Sequence, residues 1–120
     1  MKPMLKTSKY AFLSLILLSS QLYAQQVSLN LMPKVSKVVT NHYGWTLLAN
    51  CTIHATQPKS KIVVSVLRNN GSVNGRNLTN GHATSVVVRN NDNISVSAEP
   101  GATVNILNLG TDSVQATCST

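Results

Sequence analysis

From Val27 to the C-terminus, apolar residues recur at every second position in short runs, and no stretch of ten or more residues carries a 3.6-residue period. Ile62, Val64 and Val66 alternate with Val63 and Ser65; Val86 and Val88 with Ser85 and Arg89; Ile94, Val96 and Ala98 with Asn93, Ser95 and Ser97. Val104 and Ile106 continue the series. Such a period puts one apolar face on each strand and leaves no amphipathic helix to cover it, so the strands must cover one another. Turn formers punctuate the runs: Gln57-Pro58-Lys59, Asn69-Asn70-Gly71, Asn74-Gly75, Asn80-Gly81, Arg89-Asn90-Asn91-Asp92, Glu99-Pro100-Gly101 and Leu109-Gly110-Thr111-Asp112. Spacings of about 8 to 12 residues predict an all-β, antiparallel sandwich or barrel of about seven to nine strands. The stretch from Gly71 to Asn80 reads as either a weak edge strand or a long polar loop.

The first 24 residues follow a different rule. Lys2, Lys6 and Lys9 precede Ala11-Phe12-Leu13-Ser14-Leu15-Ile16-Leu17-Leu18, an apolar run too short to span a bilayer, and Leu22-Tyr23-Ala24 ends on the small residue a signal peptidase requires. The expectation is a cleaved signal peptide over 1–24, a single β domain over 25–120, and a periplasmic or secreted destination. No segment after the cut approaches the ~18 apolar residues of a transmembrane helix. Cleavage takes three of the ten Lys and Arg residues and no acid, so the formal charge of +7 falls to +4.

Cys51 and Cys118, the two cysteines, both lie in the exported part, and an even count there predicts a disulfide. Strand phase agrees. Trp45, Leu47, Ala49, Cys51, Ile53 and Ala55 fall on one face of one segment, and Val114, Ala116 and Cys118 on one face of another, so both thiols point toward a core and Trp45 is expected there too. A bond between them closes about 67 positions, worth roughly 4 kcal/mol in the chain-entropy model. That matters in a domain this small, which buries only about 60 to 65% of its unfolded surface.

Catalytic chemistry is hard to assemble from what remains. Acid–base work needs carboxylates or histidines held together, yet Asp92, Glu99 and Asp112 each fall at a turn, His54 on a polar strand face, and His42 and His82 beside turns. No metal-ligand spacing, nucleophile elbow or phosphate loop occurs, so the expectation is a non-enzymatic protein without cofactor or metal. Lys59, Lys61, Arg68, Arg76 and Arg89 concentrate positive charge in mid-chain. Of these, Lys61, Arg68 and Arg89 are the candidates for an anion-binding surface whose partner would be an acidic glycan, lipopolysaccharide or another macromolecule. No nucleic-acid motif accompanies them, because stacking aromatics are nearly absent after Trp45.

Val27, Leu29 and Leu31 alternate at the start of the mature chain and look like the donor strand of chaperone-usher pilins. The resemblance implies a subunit that assembles by exchanging this strand, although the late position of Cys118 and the ending Ala116-Thr117-Cys118-Ser119-Thr120 depart from that family's pattern. The functional expectation is therefore an exported β protein of the envelope or secretome that binds a partner or serves structurally, with self-assembly as the alternative and a small hydrolase or metalloprotein behind both.

Overall fold

A computed structural model describes residues 26–120. The expected leader lies outside the described residues. Ten strands form two antiparallel sheets: β1 (Gln26–Leu31), β2 (Ser36–Thr40), β3 (Leu47–Ala55), β4 (Ser60–Arg68), β5 (Gly71–Val73), β6 (Arg76–Leu78), β7 (Ala83–Val88), β8 (Asn93–Ala98), β9 (Thr103–Asn108) and β10 (Val114–Ser119). One sheet runs β1-β10-β3-β8-β5-β6 and the other β2-β9-β4-β7.

The order has a simple origin. β1 pairs with β10, β2 lies beside β9, β3 beside β8, and β4 beside β7, so the chain behaves as one long hairpin folded at its middle. Rolling that hairpin brings β10 against β3 and β9 against β4. This is the double Greek-key connectivity of a jelly roll. The β5–β6 hairpin is extra and occupies the tip of the roll, where β5 adds to β8.

The structure has ten strands where the sequence expectation gave about seven to nine, and the difference lies in the β5–β6 hairpin and in β2. Residues 71–78 form a true hairpin: Asn74 and Gly75 both take positive φ, 50° and 81°, the geometry a two-residue turn needs to match strand twist. β2 escapes the alternation rule because Lys37 interrupts its inward phase between Val35 and Val39.

Trp45 needs a correction. It was expected on the buried face of β3, but that strand begins at Leu47 and Trp45 is 61% exposed. The cause is Asn41, buried in the preceding loop: its amide Nδ2 lies within hydrogen-bonding distance of the carbonyls of Trp45, Ala98 and Glu99, and its Oδ1 accepts from the Tyr43 amide. The chain is held by that hub, not by strand pairing, and Trp45 stacks outside against Tyr43.

Candidate functional site

The inner faces of the two sheets carry mostly small or branched aliphatic residues. Tyr43 and Trp45, the aromatic residues of the described chain, both lie outside. Sheets in a sandwich sit about 10 Å apart, a gap that interdigitating side chains must fill. Here Ala49 opposes Val96 across the β3–β8 ladder, and Gly71 opposes Ala98 across β8–β5. Short side chains meeting at these positions leave the middle of the gap unfilled.

Burial shows the result. One cluster of buried residues gathers Leu31, Cys51, Ile53, Ile62, Val88, Val114 and Ala116, and a second gathers Val66, Val73 and Leu78. Val64, Val86, Ile94 and Val96 touch both clusters yet are only half-buried. Between the clusters lies a cavity of about 270 Å³ whose wall is almost wholly aliphatic. Its lining includes Leu29, Val64, Val86, Ile94, Val96 and Ile106, together with both halves of the cystine.

The cavity is open at one side. Val27 and Val39 point inward and line it, yet they are 55% and 38% exposed, and they belong to β1 and β2, which are edge strands of their two sheets. At the opposite edges, β6 and β7, the sheets are tied. Arg76 shares the inward phase of Val73, and its guanidinium donates to Oγ1 of Thr84 at 3.1 Å, across the gap. Thr84 is opposite Val64 on the inner face of the other sheet.

The disulfide falls where strand phase put it. Cys51 and Cys118 are register partners on β3 and β10, bonded at 2.01 Å, and they join strands that already lie side by side. The candidate cations are not gathered into one patch. Lys61 and Arg89 stand near one end of the β4–β7 pair, where Lys61 opposes Val87. Arg68 lies seven residues along β4 from Lys61, roughly 23 Å at about 3.3 Å per residue, so it does not share a patch with the other two. Among the described residues, no three His, Cys, Asp or Glu side chains approach as a metal-binding group. Asp92 holds its turn by accepting from the Arg89 amide, Asp112 accepts from Thr56, and His82 pairs with Thr79.

The cavity was not among the sequence expectations. Its signal was present as a shortage: a sandwich-sized chain whose inward positions include Ala49, Ala98, Ala102 and Ala116 and no aromatic residue. Alternation identifies which residues face inward, whereas the void depends on summed side-chain volume across two sheets.

No protein-family model matches the sequence. No curated protein matches it either. Among solved structures the chain is similar to RmlC from Streptococcus suis in complex with dTDP-D-xylose, at 13% identity and a TM-score of 0.46, over 83% of this chain and 45% of that one. The chain thus spans less than half the length of that relative. The expectation of a non-enzymatic protein is corrected at this point: the structural neighbour is an enzyme, and a missing sequence motif does not establish the absence of catalysis. At that distance the likeness assigns no reaction to this chain.

Proposed function

We propose that this chain is an exported jelly-roll protein that binds a small apolar molecule between its sheets. The observation that carries the proposal is the open aliphatic cavity of about 270 Å³. An apolar void of about 150 Å³ stays dry and accepts benzene. By that scale the cavity accommodates about ten heavy atoms, as a single aliphatic chain or a compact ring system. At roughly 0.6 kcal/mol per heavy atom, between the limits known for small ligands, the binding free energy is about −6 kcal/mol and Kd is in the tens of micromolar. Export is supported by the leader-like first 24 residues and by the Cys51–Cys118 disulfide; among the described residues no helix is long and apolar enough to cross a membrane.

Strand exchange is less well supported. Val27 to Leu31 are engaged within the chain itself, paired residue for residue with Cys118 to Val114.

Titration calorimetry of the oxidised protein with decan-1-ol tests the proposal. The expected result is one saturable site and a rise in Tm with ligand concentration. No heat and no shift in Tm up to the solubility limit of the alcohol would overturn it.

A further inference from the structure

Lys37 stands where a cavity wall has no use for charge. Directly opposed residues of an antiparallel pair project to the same face of the sheet. Lys37 opposes Ile106, and Val39, one step along the same face, opposes Val104; Ile106, Val39 and Val104 all line the cavity. Lys37 therefore belongs to the inward phase, at the β1–β2 edge where the cavity opens. About 6 to 7 Å separates side chains two residues apart on a strand, so its ammonium can reach the rim beside Val39.

The inward phase carries one other cation, Arg76, and that one is engaged with Thr84. Lys34, three residues before Lys37, is also engaged, its Nζ donating to the Leu109 carbonyl. The Lys37 ammonium is exposed and has no hydrogen-bond or ion-pair partner among the described residues. The acids of the described chain are committed elsewhere: Asp92 and Asp112 accept hydrogen bonds in other turns, and Glu99 stands in the β8–β9 turn. One unpartnered positive charge thus sits beside the mouth of an aliphatic void.

Resting on the proposed apolar site, we propose that its ligand is a single-chain amphiphile with a carboxylate head, the tail between the sheets and the head on Lys37. A single ammonium matches a monoanion in charge, whereas a phosphate dianion would call for further cations. Burial of the tail supplies the affinity, and the charge selects the head group and orients the chain.

An inward-pointing lysine on an edge strand also discourages edge-to-edge pairing, and the test must separate that role from ligand recognition. Decanoate and decan-1-ol, which share a tail length, are titrated into the wild type, Lys37→Gln, Lys37→Arg and Lys37→Glu at low and high salt. The wild type is expected to bind decanoate about threefold more tightly than the alcohol at low salt, the scale of an exposed charge pair, with the preference shrinking as salt rises. Lys37→Arg keeps the preference, Lys37→Gln removes it and Lys37→Glu reverses it. If the acid and the alcohol bind alike in the wild type, or if Lys37→Gln keeps the preference, the assignment of the head-group site is overturned while the apolar site stands. Failure of both ligands to bind would overturn the apolar site and this inference with it.

Discussion

Asn108 shows how much of the sandwich one polar side chain can hold. It is fully buried at the end of β9; its Nδ2 donates to the carbonyls of Leu31 and Asp112 at 2.9 and 2.8 Å, and its Oδ1 accepts from the Gly110 amide. One amide thereby ties the end of β1 in one sheet to β9 in the other and shapes the turn into β10. Replacing it with Ala leaves three backbone groups without that partner, and burial makes the loss costly. Asn108→Ala is expected to destabilise the protein by about 3 kcal/mol, read as a lower midpoint of urea denaturation. Replacing the exposed Asn90, whose Oδ1 accepts from the Ala55 amide, should cost much less. The cystine acts differently, since β3 and β10 already pair; its contribution lies in the 67-residue separation it closes. Cys51→Ala with Cys118→Ala should lower stability by about 4 kcal/mol if unfolded-chain entropy dominates, and equal midpoints for the oxidised protein and the double variant would rule that out.

At the scale of elements, the strands legible in the sequence are those with at least two apolar residues at successive inward positions. β1, β3, β4, β7, β8, β9 and β10 show the alternation, most of them beside a turn signal, so their faces followed from period alone. β2 was missed because Lys37 occupies an inward position, and Trp45 was misplaced because Asn41 overrides the alternation with a loop. In both cases a long-range arrangement decides what a local period cannot. The β5–β6 hairpin was half legible: Asn74-Gly75 marks its turn, but its pairing depends on Gly71. A Cβ at Gly71 would lie 2.7 Å from the Ser97 carbonyl oxygen, a backbone atom that cannot swing aside. Gly71→Ala is therefore expected to push β5 off β8 and to loosen Val73 and Leu78, which form the smaller buried cluster together with Val66. Hydrogen exchange should show protection lost in residues 71–78 and kept in β10. At Gly75 there is open space and only the φ of 81° to strain, so Gly75→Ala should cost about 1 kcal/mol with the pairing retained.

For the molecule as a whole, the aliphatic interior sets stability and binding against each other. A void between two sheets forfeits dispersion contacts that a filled core would make, so the empty protein is less stable than its strand count implies. Filling the space from within should recover those contacts and exclude the ligand. Ala49 is suited to the experiment: it points inward from the first half of β3, lines the cavity opposite Val96, and is only half-buried. Leu at this position adds three carbons, about a third of the space allotted above to the ligand. Ala49→Leu is expected to raise stability by about 1 kcal/mol and to weaken decan-1-ol binding at least tenfold. Ala49→Ser, which adds a hydroxyl to an apolar wall, should weaken binding without that gain. A gain in stability with unchanged affinity would place the ligand away from Ala49. A loss of stability in Ala49→Leu would mean that the sheets already meet there and that the interior has no room to fill.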